Sequence, residues 1–210
     1  MWTLWLLLLA AGGRLERFDL SIIHAVQGRE NAAMTAAAER FTAIGSSKVV
    51  IPLVLGTAVL LFFLLKHRRE LALLTGGMLG STLLNELLKR IYHRARPDIH
   101  RIVAETGYSY PSGHAMASLT FYGLLVYLLW RHLSSRGWRL VLLAFSFCMI
   151  ACIGLSRIYL GVHYPSDVLG GYWASGCWMA FCILLYRRYE RGRLGGGRRK
   201  AKSIIFTSGS

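Results

Sequence analysis

Long apolar runs alternate with short polar clusters along most of this chain. Five runs come close to the roughly 20 residues that a membrane-spanning helix needs. They lie at residues 49–65, 71–88, 115–129, 140–156 and 168–186. We interpret each of them as a membrane-spanning helix.

A sixth, shorter apolar run precedes these five at residues 2–12. It has the length of a signal-peptide core, but no basic residue precedes it, and Arg14 follows as an interface residue would. We therefore expect a retained first helix. Residues 18–47 carry spaced apolar side chains, a pattern typical of short helices along a membrane surface. The predicted fold class is all-α, an integral membrane bundle of six transmembrane helices with short interfacial helices after the first.

The composition supports a single membrane-embedded unit, because 54% of the 210 residues are hydrophobic. Residues 1–190 are predicted to form one transmembrane domain and residues 191–210 a basic, disordered tail. The four cysteines fall inside apolar runs, which indicates packing residues rather than a disulfide framework or a zinc site. No metal and no other cofactor is expected.

The net charge of +15 is concentrated at the ends of the apolar runs. The flanking groups are Lys66, Arg68 and Arg69, then Arg131, Arg136 and Arg139, then the segment 187–202. No nucleic-acid-binding motif accompanies this charge, so we do not expect a nucleic-acid partner. By the positive-inside rule these segments are cytoplasmic, and we expect the tail to contact anionic lipid head groups.

Three polar clusters, at residues 89–97, 111–114 and 156–167, lie at the opposite ends of the same runs. Because each run covers about one bilayer thickness, all three clusters are predicted to converge on the outer face of the cell membrane. In the first cluster, Lys89 and Arg96 are close to two helical turns apart, so a continuing helix would place both on one side. Their cations suit phosphate oxygens, and anchoring to lipid head groups is the alternative.

The second cluster reads Pro111-Ser112-Gly113-His114 and immediately precedes an apolar run. Serine suits a helix N-cap, and the free N–H groups of a first turn attract anions. Gly113 would let a ligand approach the backbone, and His114 would stand at the rim, able to pass a proton to a leaving oxygen. An ordinary cap with an interfacial histidine remains the alternative.

In the third cluster, His163 and Asp167 are four residues apart with Pro165 between them, and Arg157 closes the preceding run. A helix that starts near Tyr164 would bring the carboxylate to one imidazole nitrogen. The other nitrogen would then be free as a nucleophile. A structural His–Asp pair is the alternative.

In the order KxxxxxxRP, PSGH and SRxxxxxHxxxD, these clusters resemble the tripartite signature of the type 2 phosphatidic acid phosphatase superfamily, in particular its bacterial membrane lipid phosphatases. The resemblance covers about residues 49–186. It implies phosphate binding by Lys89, Arg96, Ser112, the Gly113 backbone and Arg157. It further implies that His163 attacks phosphorus to form a phosphohistidine, that Asp167 orients His163, and that His114 protonates the departing alcohol without any metal.

The function that follows from the resemblance is hydrolysis of a phosphomonoester or diphosphate of a membrane lipid. Phosphatidylglycerophosphate, undecaprenyl diphosphate and phosphatidic acid all present the required group. The alternative is a lipid-phosphate binder or scramblase without turnover. A vanadate-dependent haloperoxidase is disfavoured because those relatives are soluble. Glu105, in the loop after the first cluster, is expected to be a solvated carboxylate.

Overall fold

The computed structural model describes residues 13–64 and 68–207, with side chains described up to residue 192 apart from Leu64. Seven α-helices follow one another without any strand in the described chain. They are α1 (Arg14–Gln27), α2 (Ala32–Gly45), α3 (Ser47–Val59), α4 (Arg68–Tyr92), α5 (Gly113–Trp130), α6 (Arg136–Tyr159) and α7 (Pro165–Thr207), and a π-helical turn, Leu60–Leu64, extends α3. The all-α prediction is confirmed. The apolar run at residues 2–12 lies outside the described residues.

Four helices are long and apolar enough to cross a membrane: α4, α5, α6 and the segment Pro165–Gly192 of α7. The run predicted to span at residues 49–65 reaches the required length only together with α2, as the pair Ala32–Gly45 and Ser47–Phe63, bent by 47°. The described chain therefore has four candidate spans, or five with the bent pair, and the predicted six are not confirmed. The break falls at Ser46, whose extended backbone and hydroxyl bond to the Ala43 carbonyl end α2.

Helix α5 forms the centre of the bundle and packs against α4, α6 and α7. Its Leu124 is fully buried, as is Leu74 of α4. Trp178 of α7 lies where a side chain at Gly80 of α4 would be, and its indole N–H donates to the Gly77 carbonyl at 2.9 Å. Large apolar side chains on the outer faces of α4, α6 and α7 remain exposed, as a helix bundle surrounded by hydrocarbon requires.

The two ends of the bundle differ in chemistry. At one end, Arg131 pairs with Glu190 at 3.4 Å and His132 with Glu70 at 3.7 Å, beside the basic residues that flank the spans. The three polar clusters meet at the other end. There α1 and the start of α2 pack over this end. The Gln27 amide donates to the backbone carbonyls of His100 and Tyr159, and the Thr35 hydroxyl hydrogen-bonds to the Tyr159 hydroxyl at 2.8 Å.

Candidate active site

The PSGH segment leads into α5, which begins at Gly113. Ser112 is its N-cap, with its hydroxyl oxygen accepting from the Ala115 N–H at 3.4 Å. The Ser112 N–H donates to the Asp167 carbonyl at 3.1 Å, which joins this turn to the start of α7. A side chain at position 113 would meet the Asn85 amide, whose nitrogen donates to the Pro111 carbonyl. The prediction that Ser112 caps α5 is confirmed. Sequence reasoning missed Asn85, which supports the backbone of this turn.

The prediction that a helix continues from Lys89 to Arg96 is wrong. Helix α4 ends at Tyr92, and His93, with a φ of 45°, turns the chain out of the helix. Arg96 therefore lies in the loop and is buried against backbone carbonyls, donating to Gly107 at 3.0 Å and Val162 at 2.9 Å. The charges of Lys89 and Arg96 nevertheless interact, so the loop brings together the two cations that the helix was expected to align.

His163 is nearly inaccessible, with 2% of its surface exposed. Its Nε2 lies 3.3 Å from NH1 of Arg96, and its Nδ1 lies 3.7 Å from Oδ2 of Asp167. Because a guanidinium only donates, Nε2 accepts from Arg96 and the imidazole proton belongs on Nδ1. Burial lowers the pKa of His163 to about 4, against the opposing pull of Asp167. At neutral pH the ring is uncharged, with the lone pair on Nε2.

A serine mediates between His163 and Asp167. The Ser109 hydroxyl donates to Asp167 Oδ2 at 2.5 Å and lies 3.4 Å from Nδ1 of His163. The backbone N–H of Tyr164 donates to the same carboxylate oxygen at 3.0 Å. The predicted one-turn approach of the two residues is confirmed. The distance between Nδ1 of His163 and Oδ2 of Asp167 exceeds that of a hydrogen bond, and the Ser109 hydroxyl lies between the two groups.

The other carboxylate oxygen of Asp167 pairs with Arg94, a cation that sequence reasoning missed. NH1 of Arg94 lies 2.7 Å from Oδ1 of Asp167. Burial disfavours the Arg94 charge, but the carboxylates of Asp167 and Asp19 outweigh this and raise the pKa of Arg94. No spacing rule singles out Arg94, because it occupies a variable position of the KxxxxxxRP pattern.

His114, at the start of α5, is fixed from the α2 side. Its ring lies near the Thr42 backbone and interacts electrostatically with Lys89 and Arg96. Gly45 leaves room for this ring, because a side chain there would meet the His114 Cδ2 atom. Both candidate catalytic histidines thus lie within electrostatic range of Arg96.

Arg157, near the end of α6, is buried and paired. Its NH1 donates to the Thr42 hydroxyl at 2.5 Å, and its NH2 pairs with Glu105. Glu105 also lies 3.7 Å from NH2 of Arg96, with only 32% of its side chain exposed, so it is not the solvated carboxylate that was expected. The loop folds back and lays this carboxylate across the two arginines. Nε of Arg157 is buried without a hydrogen-bond partner among the described residues.

The predicted site residues therefore assemble at one end of the bundle. They are Lys89, Arg96, Ser112, Gly113, His114, Arg157, His163 and Asp167. A neutral imidazole nitrogen faces a group of buried cations, a setting that suits attack on an anionic centre. Among the described residues no group of three or more His, Cys, Asp or Glu side chains is arranged to hold a metal ion.

The sequence profile of the PAP2 superfamily matches residues 70–191, which contain all eight predicted site residues. The chain is 36% identical over 134 residues to phosphatidylglycerophosphatase B of Bacillus subtilis, an alignment that covers 62% of this chain and 64% of that protein. It is 33% identical over 144 residues to undecaprenyl-diphosphatase of Sulfolobus acidocaldarius, covering 65% and 63%. The alignments thus span just under two thirds of these relatives.

The fold is similar to a solved structure. A transmembrane PAP2 type phosphatidylglycerolphosphate phosphatase from Bacillus subtilis superposes with a TM-score of 0.76 at 29% identity. The superposition covers 90% of this chain and 94% of that one, so it extends to helices on the N-terminal side of the matched profile.

Proposed function

The chain belongs to the PAP2 superfamily, and from this premise we propose that it hydrolyses the phosphomonoester or diphosphate of a membrane lipid. The observation that carries the proposal is the setting of His163. Its Nε2 is an uncharged nucleophile 3.3 Å from one buried arginine, Arg96, which ion-pairs with the same carboxylate as Arg157. A group of cations of this kind favours the binding of an anionic electrophile.

The first step forms a bond between Nε2 of His163 and phosphorus while the bond from phosphorus to the lipid oxygen breaks. The lone pair of Nε2 is available once the phosphate displaces the Arg96 contact. His114 supplies the proton that the departing oxygen needs. Lys89, Arg96 and Arg157 balance the charge on the non-bridging oxygens, and the backbone N–H groups at the start of α5 add to this stabilisation.

The second step regenerates the enzyme. Water attacks phosphorus, His114 accepts its proton, and the bond between phosphorus and Nε2 breaks. The ring returns to its uncharged form, and inorganic phosphate leaves. The chain's own residues supply every proton transfer in this scheme.

Lipid phosphomonoesters and lipid diphosphates fit this chemistry equally well. The named relatives act on phosphatidylglycerophosphate and on undecaprenyl diphosphate. Both present a terminal phosphate on a lipid, with the apolar chain able to lie against the exposed hydrophobic faces of the helices. Phosphatidic acid presents the same reacting group.

The function is tested with purified protein and detergent-solubilised lipid phosphates in the presence of EDTA. We expect inorganic phosphate to be released from at least one of phosphatidylglycerophosphate, undecaprenyl diphosphate and phosphatidic acid. Relative kcat/KM values over the three lipids identify the substrate. Absence of release from all three would contradict the proposal and favour the binder or scramblase.

The pH dependence of kcat/KM follows from the protonation state of His163. We expect a bell-shaped profile, because His163 must be neutral and His114 protonated. Protonation of His163 removes the nucleophile, so the acid limb of kcat/KM rises with pH through the His163 pKa of about 4. The alkaline limb falls as His114 loses the proton that it must donate. After correction for the second ionisation of the phosphomonoester, near pKa 6, the acid limb is expected near pH 4. An acid limb centred near 6.5, the ordinary histidine value, would contradict the assignment.

Glu105 occupies the place that a substrate phosphate would take between Arg96 and Arg157. We therefore expect Glu105→Gln to lower the inhibition constant of inorganic phosphate by about tenfold, because a competing anion is removed. Asp98→Asn is the matched control: Asp98 is in the same loop, 97% exposed, and pairs with Arg101 instead. An unchanged or raised inhibition constant for Glu105→Gln would show that Glu105 does not compete with phosphate.

The same proposal places the site outside the cytoplasm, in a multi-pass protein of the cell membrane. The basic residues at the other end of the bundle support this orientation under the positive-inside rule, and the tail at residues 191–210 would contact anionic lipids. A membrane-impermeant maleimide should label Asp98→Cys in intact cells and leave Ser134→Cys unlabelled. The opposite pattern would reverse the orientation.

A further inference from the structure

Asp19 is a fully buried carboxylate on α1, outside the segment that the PAP2 profile matches. Its Oδ2 lies 2.8 Å from NH2 of Arg94. Its Oδ1 accepts from the Ser166 N–H at 2.8 Å, and Oδ2 also accepts from the Ser166 hydroxyl at 2.6 Å. A charge so deeply buried is retained only where paired and hydrogen-bonded, and both conditions hold here. Nothing in the mechanism above uses Asp19.

Arg94 bridges Asp19 to the active site. Its two terminal nitrogens hold one carboxylate each, NH1 at 2.7 Å from Asp167 and NH2 at 2.8 Å from Asp19. The guanidinium also stacks on the Tyr164 ring at 4.1 Å. Because the fork is planar and rigid, its NH1 holds Oδ1 of Asp167 in place. Oδ2 of Asp167 is thereby left to face Ser109 and His163.

The charges of the three groups explain why the second carboxylate is needed. Attack of Nε2 on phosphorus makes the His163 ring positive, and a negative charge beside Nδ1 stabilises that state. Arg94 alone would neutralise Asp167 and remove this stabilisation. With Asp19 added, two carboxylates and one guanidinium leave one net negative charge beneath the imidazole.

We propose that Asp19 and Arg94 are positioning residues that act through Asp167, Arg94 by orienting its carboxylate and Asp19 by offsetting the charge of Arg94. This inference rests on the proposed function, because it concerns the same nucleophile. It extends the working site to α1, so that a helix outside the matched segment takes part in the chemistry.

Asp19 also has a purely structural contact, since it caps the first turn of α7 through the Ser166 N–H. The variant Asp19→Asn separates the two roles. Asparagine keeps an oxygen that accepts from the Ser166 N–H but carries no charge. If Asp19 acted only as a cap, Asp19→Asn would leave kcat unchanged. If Asp19 offsets the charge of Arg94, Asp19→Asn lowers kcat.

The test measures kcat, KM and the inhibition constant of inorganic phosphate for purified variants on the lipid that the wild type hydrolyses. We expect Asp19→Asn to lower kcat by about 10- to 100-fold, the range seen when the group that orients a metal-binding histidine is removed. The phosphate inhibition constant should stay within about twofold, because the phosphate-binding cations are untouched. Glu16→Gln removes an exposed charge from the same helix and should leave all three constants unchanged.

The double variant Asp19→Asn/Arg94→Gln completes the experiment. It restores the single negative charge of Asp167, so its kcat should exceed that of Asp19→Asn by about tenfold, a coupling that independent sites would not show. If Asp19→Asn does not fold, the double variant still tests the inference. It leaves no buried guanidinium unpaired and should keep kcat within about tenfold of the wild type.

A kcat for Asp19→Asn within twofold of the wild type would overturn the inference, as would a double variant no better than the single one. Should only the double variant fold, a loss of about 1,000-fold or more in its kcat would do the same. An inactive wild type would instead refute the proposed function, so the two failures are distinguishable.

Discussion

Replacing His163 with alanine is expected to lower kcat on the order of 10⁵- to 10⁶-fold, to the background rate. In the proposed mechanism the ring supplies the atom that bonds to phosphorus, and the residues around it are held in other contacts. Arg96 is held by backbone carbonyls, and Ser109 donates to Asp167. No described neighbour can therefore replace the lost nucleophile. The measurement is phosphate release by the purified variant under the conditions of the wild-type assay.

Binding should survive the same change. The cations remain, so a radiolabelled lipid phosphate should bind His163→Ala within a few-fold of the wild-type affinity. The wild type should accumulate an alkali-stable, acid-labile phosphate label, and His163→Ala should carry none. His24→Ala, which removes an exposed histidine from α1, is the matched control and should behave as the wild type. Substantial turnover by His163→Ala would exclude the phosphohistidine.

Removal of the Arg157 guanidinium has the second largest expected effect. Arg157→Gln should lower kcat/KM by about 10³- to 10⁵-fold, the range found where an arginine stabilises a transferring phosphoryl group. Arg157 is buried, and its Nε has no described hydrogen-bond partner. The Nε–H group can therefore donate a hydrogen bond to a bound anion. Both kcat and the phosphate inhibition constant should change, because in the proposed mechanism this cation contacts the phosphate in the ground state and in the transition state.

Two further variants interpret this result. Arg157→Lys keeps the charge but not the fork, so we expect an activity between those of Arg157→Gln and the wild type. Arg101→Gln removes a loop arginine that pairs with Asp98 and should change kcat/KM less than about threefold. Equal losses for Arg157→Gln and Arg101→Gln would indicate a general effect of positive charge rather than a specific phosphate contact.

The geometry of the candidate site was predictable where it depends on neighbours in sequence. The Ser112 cap, the start of α7 at Pro165 and the approach of His163 to Asp167 all follow from spacings of four residues or fewer. The helices of the bundle follow from their apolar runs, since hydrophobic periodicity is local information. The prediction failed where one residue turned the chain, at His93, which ends α4 before Arg96.

The missed contacts join residues that are far apart in the chain. Arg94 and Asp19 are separated by 75 positions, and Arg157 and Thr42 by 115. No local pattern indicates that α1 places a carboxylate beneath α7, or that the loop turns Glu105 inward onto Arg157. The bend that joins α2 and α3 into a single candidate span is likewise a feature of packing at Ser46 and Gly45.

The amino-acid sequence by itself determined the apolar helices, the separation of the basic end from the end that holds the polar clusters, and the candidate residues for phosphate binding. Each of these depends on composition and on spacing within one or two helical turns. Only the tertiary structure decided how the charges are balanced: Glu105 across two arginines, and Arg94 between Asp167 and Asp19. Buried charges must be paired wherever the fold brings them, and the identity of each partner depends on the path of the whole chain.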